Sequence, residues 1–377
     1  MRRVLFFAQG KFLPSNPSVL NGLRKQFPEC DIRWVEINEL LRARLATMAA
    51  NAAAALMRYG WDLITRRRDL DAAFFGTDYA FRRVREMALG IQAEWHADCS
   101  FQMQSVFDCS SPNRPHFAYT DHTYLSCREY PAYGQHIWAP LRPEWLVALE
   151  RGIYDRASCV FTRSSNVSNT LIREYGVARD KVVCVRFGCN APEGALAKAP
   201  LGTERFASKS IIFVGKRWEL KGGPELLEAF RHVRGRFPDA TLTVAGCSPR
   251  TRAPGVTVLG RVSLDRVVDL CARSAVFCMP SKMEASGVVF LEAMAAGLPV
   301  IVLRLGAAPD FVIDGETGIT VRPDDVAALA DAMCCLLGNP EECRRLGENG
   351  RRLVMEKYTW DHVCADMACR MRQVVGR

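Results

Sequence analysis

Between residues 211 and 337 the chain alternates short apolar runs with helical patterns, and this alternation constrains the fold more than any other feature. Runs at 211–214, 241–245, 256–259, 275–279, 300–303 and 319–321 have the length and the β-branched and aromatic content of buried strands. Helical patterns at 224–236, 264–273, 288–296 and 326–337 lie between them. Strands separated by helices return to one sheet in the same direction, so the pattern predicts a parallel, doubly wound α/β sheet. The N-terminal half repeats the pattern more loosely, with candidate strands at 4–8, 32–36, 100–103, 117–120, 159–162 and 182–187. A stretch at 190–210, rich in Ala, Pro, Gly and Lys, reads as the linker between the halves.

A length of 377 residues suits two domains of ordinary size. The expectation is a Rossmann-like domain over 1–195, a second over 205–360, and a cleft between them at the C-terminal ends of their strands. Residues 38–98 interrupt the first domain with helical material. The Ala-rich stretch 46–57, the apolar 61–64 and the basic Arg66-Arg67-Arg68 lie within this interruption. The reading preferred is a helical insertion packed on the sheet; the alternative is an amphipathic surface that meets an anionic membrane.

Hydrophobic content of 49% and charged content of 24% are those of a globular protein with a core. The net charge of +9 comes without a long Lys/Arg block or interleaved aromatics, which argues against nucleic acid as partner and suits anionic substrates. Fifteen cysteines show no zinc-type Cys-x2-Cys pair and read as small core residues in a reducing cytoplasm. The apolar run at the start is too short for a signal peptide and reads as a first strand, and no run is long enough to span a membrane.

The richest local pattern runs from Ser281 to Pro299. Glu284 and Glu292 stand eight positions apart with Ser286-Gly287 between them, and from Val288 the sequence reads as a helix ended by Gly297. A loop that enters a helix leaves the N–H groups of Ser286, Gly287, Val288 and Val289 unpaired and aimed outward, which suits a phosphate. Glu292, one turn inside, could accept hydrogen bonds from a sugar cis-diol. Two hydroxyl-reading carboxylates around an anion site describe a place for a nucleotide sugar.

This spacing resembles the Glu-x7-Glu motif of retaining glycosyltransferases, in particular glycosyltransferase family 4 with its GT-B fold of two Rossmann-like doubly wound domains. Pro280-Ser281 before the motif, Glu292-Ala-Met after it, Gly315-Glu-Thr-Gly318 and Tyr358-Thr-Trp360 strengthen the resemblance. The resemblance implies a basic element at the end of strand 211–214, with Gly215, Lys216, Arg217 and Lys221 facing the leaving diphosphate. Lys221 falls on the family's lysine; Arg217 is assigned as its arginine, with Lys216 as the fallback. It also implies that His122, after strand 117–120, reaches the donor sugar. Glu284, His122, Lys221 and Arg217 are thus the candidate catalytic residues. Gly215, Lys216, Glu292 and residues 286–289 are the candidate nucleotide-binding ones. Gly10, all that remains of a glycine-rich loop, and Asp121 are placed on the acceptor side. Glu150, Tyr154 and Arg163–Ser165 match family features around the cleft, with a structural role as the competing reading. A final helix over 361–377 is expected to cross back to the first domain.

The implied activity moves a sugar from a nucleoside diphosphate donor to a sugar, lipid-linked or small-molecule acceptor in glycoconjugate biosynthesis. The family uses no metal or other cofactor as a rule. A nucleotide-sugar epimerase or hydrolase of the same architecture is the alternative enzyme, and a degenerate lectin-like protein the non-enzymatic one. Asp69-Leu-Asp71 has a metal-site form but follows three arginines, and is set aside. The sequence has neither a Walker A loop nor Gly-x-Gly-x-x-Gly.

Overall fold

The structure, a computed structural model, describes residues 1–10, 15–65, 70–126, 144–191 and 202–376. Arg66–Arg68, Asp69 and residues 192–201 of the expected linker therefore lie outside the described residues. Twelve strands are described: β1 (Arg3–Ala8), β2 (Asp31–Glu36), β3 (Cys99–Met103), β4 (His116–Thr120), β5 (Cys159–Thr162), β6 (Val182–Cys184), β7 (Ser210–Val214), β8 (Thr241–Ala245), β9 (Val256–Gly260), β10 (Val276–Met279), β11 (Val300–Leu303) and β12 (Gly318–Val321). They form two six-stranded sheets, ordered β2-β1-β3-β4-β5-β6 and β12-β11-β10-β7-β8-β9, with every strand pair parallel. Two parallel-sheet α/β halves are the architecture that the alternation predicted. In the second sheet the strand order reverses beside β7, whose neighbour β10 carries the chain outward the other way. The loops after β7 and β10 therefore flank a switch point, where ligands of such sheets bind.

The core reflects the strand sequences. Ile211, Ile212, Phe213, Val276, Phe277, Val300 and Ile301 are fully buried, because helices cover both faces of a parallel sheet. The first sheet buries Val4, Phe6, Phe101, Phe117 and Phe161 on one face and Leu5 and Phe7 on the other. Its strand β6 stops at Cys184, short of the expected 187, and Arg186 takes a left-handed φ of 63° that an extended strand cannot hold. The helix Trp360–Val375 returns to this half. Val363, Met367 and Met371 pack into its core, and a Cβ on Gly22 would lie 2.3 Å from the Cys364 sulfur.

Two expectations about connecting segments need correction. Part of the expected linker is a helix, Thr203–Ala207, whose Phe206 is fully buried in the second core. Its Arg205 donates to Ser274 O (2.7 Å), Cys271 O (2.7 Å) and Ala296 O (3.0 Å), satisfying carbonyls at the C-terminal ends of two helices. Burial pushes this guanidinium down to about 10. The insertion at 38–98 is helical, and the helix Asp78–Glu94 covers the sheet through Phe81, Val84 and Ala88 against Leu5 and Phe7, joined by Leu41 of the helix Ile37–Arg42. The long helix Leu45–Ile64 lies outside it. Its small cluster of Ala55, Tyr59 and Ala73 with Leu63 is separate from the sheet's core.

Among the described residues the cysteines are free thiols, and most are buried. None of the described helices is long and apolar enough to cross a membrane.

Candidate active site at the switch point of the second sheet

The loop after β7 is folded tightly enough to deliver one lysine. Lys221 N donates to Arg217 O (2.9 Å) and Gly223 N to Trp218 O (2.9 Å). Gly222 then takes φ 74°, where any Cβ would lie 1.9 Å from Pro280 O. Only glycine permits that approach, and it brings the β7 loop against the loop after β10. Lys282 N closes the same junction onto Leu220 O (2.9 Å).

At this junction Lys221 Nζ donates to Glu284 Oε2 (2.8 Å), Met283 O (3.1 Å) and Ser281 Oγ (3.3 Å). Those three acceptors match the three N–H bonds of an ammonium. Glu284 is nearly buried, and Lys221 retains 23% of its side-chain exposure. The pair thus sits at the edge of a solvent-reachable space. Gly215, whose backbone packs beside the Lys221 stem, lies just behind it. Lys216 and Arg217 are exposed, and among the described residues neither side chain makes a hydrogen bond or ion pair. Of the basic loop residues, Lys221 is the one the structure brings to Glu284.

The helix Val288–Ala295 begins at Gly287, which has φ 63° and lies against Phe311; a Cβ there would lie 2.5 Å from that ring. One part of the expected anion site is different. The N–H groups of Gly287 (3.0 Å) and Ser286 (3.5 Å) point to Glu284 Oε1 instead of outward, because the carboxylate folds back over the helix entrance. Val288 and Val289 remain in the first turn, where an N–H has no intrahelical carbonyl to reach. The other end of this helix is satisfied by cations: Arg205 and Arg351 both donate to Ala296 O, and Arg351 also to Ala295 O. Carboxylate at the start and guanidinium groups at the end both agree with the helix dipole.

Glu292 lies one turn further in and is 8% exposed. Among the described residues no donor reaches its carboxylate. Desolvation alone pushes it up to about 7. A buried carboxylate without a protein partner is costly, and it is the sort of group a ligand's hydroxyls would satisfy.

On the facing half, His122 follows β4 and is half-buried. Its backbone is fixed by Thr120 Oγ1, which donates to His122 O (2.7 Å). Beneath this loop lies the buried Glu150, which accepts from Tyr154 OH (2.8 Å), Ser105 Oγ (3.1 Å), Tyr124 N (2.9 Å) and Tyr175 OH. Glu150 and Tyr154 therefore brace the 120–126 turn from below. Asp121 is paired with Arg163 (3.4 Å), whose guanidinium lies between the rings of Tyr119 and Phe187. Gly10, at φ 86°, donates to Glu36 Oε1 (2.7 Å), and its carbonyl accepts from Asn16 (3.0 Å). Both expected acceptor-side residues are engaged within their own half.

Asp310 went unmarked in the sequence. From the second half its Oδ2 accepts from Ser165 N (2.8 Å) and Ser165 Oγ (3.1 Å), at the start of the helix Ser165–Arg173 in the first half. It stands in the short helix that also presents Phe311 to Gly287. Among the described residues there is no cluster of three metal-capable side chains.

Residues 208–339 match the family described as Glycosyl transferases group 1. A glycogen synthase of Mycobacterium tuberculosis is 25% identical over 232 residues, covering 59% of this chain and 55% of the relative. A GDP-mannose-dependent alpha-(1-6)-phosphatidylinositol monomannoside mannosyltransferase of Mycolicibacterium smegmatis is 30% identical over 238 residues, covering 52% and 62%. The chain thus spans a little over half the length of these curated relatives. Among solved structures, sucrose-phosphate synthase from Thermosynechococcus elongatus superposes with a TM-score of 0.69 over 100% of both chains at 19% identity, which shows a shared fold.

Proposed function

We propose that this chain, which carries a glycosyl transferases group 1 domain in a GT-B fold, transfers a sugar from a nucleoside diphosphate sugar to an acceptor hydroxyl with retention of anomeric configuration. The observation that carries the reading is the buried, partnerless carboxylate of Glu292, one helical turn behind the Lys221–Glu284 pair. A ribose diol would supply the two O–H donors that Glu292 lacks. The diphosphate would then lie over the first turn of Val288 and Val289. There Lys221 exchanges one of its present acceptors for a phosphate oxygen, with Arg217 or Lys216 closing from the same loop. This arrangement neutralises a leaving diphosphate with protein groups, so the reading requires no metal. Glu284, released in part from Lys221, would accept from the sugar hydroxyls. His122 would meet the sugar from the other half. No side chain is assigned as nucleophile.

The mannosyltransferase relative is named as GDP-mannose-dependent, which supports a nucleotide-sugar donor, and the phosphatidylinositol monomannoside in its name supports a lipid-linked acceptor as one class worth offering. The test is a panel of nucleotide sugars, each incubated with and without sugar and lipid-linked acceptors, with release of free nucleotide followed. Acceptor-dependent release is expected, and the product's anomeric coupling should match the donor's. Release that ignores acceptors would assign an epimerase or hydrolase, and binding without release a lectin-like protein. A product of opposite anomeric configuration would remove the retaining assignment alone.

A further inference from the structure

The helix Leu45–Ile64 is amphipathic in an unusual sense: its polar arc faces the protein and its apolar arc faces out. At about 100° per residue, Leu45, Ala49, Ala53, Leu56, Met57, Trp61 and Ile64 fall on one arc. Leu45 is 82% exposed, Leu56 63%, Met57 84%, Trp61 71% and Ile64 76%. The opposite arc holds Thr47, Asn51, Arg58, Tyr59 and Asp62. Those inner groups are committed. Asn51 donates to Phe74 O (2.7 Å) and accepts from Thr77 Oγ1, Tyr59 OH donates to Gly76 O (2.6 Å), and Arg58 pairs with Asp78 (3.1 Å). Hydrogen bonds therefore fix the helix to the 74–78 turn with its greasy side turned away. Leu70, at the start of the next described helix, is 76% exposed as well. Of the large hydrophobic side chains exposed among the described residues, most belong to this one element.

A contiguous apolar strip of this length on a polar protein marks an interaction surface. Its flank identifies the partner. Exposed Arg42 and Arg44 precede the strip in a chain of net charge +9, while the outward arc itself carries no charge. A bilayer with anionic headgroups complements both features, taking the apolar arc at the acyl boundary and the basic flank among the phosphates. We infer that the helix Leu45–Ile64 is a docking surface that lies in the plane of an anionic lipid bilayer.

This inference is independent of the sugar-transfer reading, since membrane docking needs no donor. The experiment is sedimentation of the full chain with vesicles of phosphatidylcholine alone and of phosphatidylcholine mixed with phosphatidylglycerol. Binding is expected to the mixed vesicles, weakening as salt rises. Leu56→Glu/Trp61→Glu should lower that partitioning by roughly tenfold or more. Both side chains are exposed, so its thermal unfolding should match the parent. Arg44→Glu leaves the apolar arc intact and should lose binding only where anionic lipid is present; it keeps the test decisive if the double variant misfolds. Failure of the parent to bind mixed vesicles would overturn the inference. So would unchanged binding by both variants, or a concentration-dependent dimer that the double variant dissolves, which would assign the strip to self-association.

Discussion

Glu292 offers a prediction in which stability and function move in opposite directions. Its carboxyl is lifted from 4.5 to about 7 by desolvation, with no compensating hydrogen bond. For an acid raised in this way, the folded state binds its proton more tightly than the unfolded chain does. Stability is therefore complete below about pH 4.5, is lost as the pH climbs toward 7, and levels off above it. A shift of roughly 2.5 units corresponds to about 3 kcal/mol against the folded state at pH 8, and to less than about 1 kcal/mol at pH 5. Glu292→Gln keeps the shape and removes the charge, so the variant should be the more stable protein at pH 8 and nearly equal at pH 5. At about 2–4 °C per kcal/mol for a domain of this size, the gain at pH 8 should be plain in a thermal scan. The same change should weaken a nucleoside diphosphate by about 1.5–3 kcal/mol, because charge-assisted hydrogen bonds to the ribose are lost. Calorimetric titration and unfolding at the two pH values measure both halves. A stability difference that does not depend on pH would show that the carboxylate is not buried unpaired. Unchanged nucleotide affinity would remove Glu292 from the ribose site.

Three further outcomes are expected. Lys221→Ala should fold as the parent does and lose roughly 100- to 1000-fold in turnover, since one group that stabilises developing charge is gone; near-parental turnover would move that role to Arg217 or Lys216. Gly222→Ala should give a comparable loss although Lys221 is still present, because a Cβ 1.9 Å from Pro280 O forces apart the two loops that bring Lys221 to Glu284; normal turnover together with normal stability would mean that this close approach is dispensable. His122→Ala should lower turnover at saturating donor while leaving nucleoside diphosphate affinity intact; the reverse pattern would place the histidine in the nucleotide site.

What the sequence revealed depended on whether a feature has a local signature. The strands of the second sheet are legible because parallel strands buried on both faces read as unbroken apolar runs, as at residues 300–303 and 276–279. The family resemblance is legible for a similar reason: Glu284 and Glu292 fall within one loop-and-helix unit, and their spacing survives in the linear text. Features that depend on a partner far along the chain leave no such trace. Arg205 looks like one more cation in a linker, yet it ties off two helices at Cys271, Ser274 and Ala296. Asp310 looks like an ordinary helix acid, yet it receives Ser165 from the other half. The outward N–H groups expected at Ser286 and Gly287 failed on a single side-chain rotation, that of Glu284, which no pattern of residue types encodes. The helix Leu45–Ile64 shows the limit most clearly. Its apolar periodicity is visible in the sequence, but periodicity identifies only which arc is apolar. The usual inference that this arc faces inward is a statement about water, and it holds only when water is what surrounds the helix. Here Asn51 and Tyr59 bind the protein and Trp61 faces out, so the same pattern points to a different solvent on that side of the molecule.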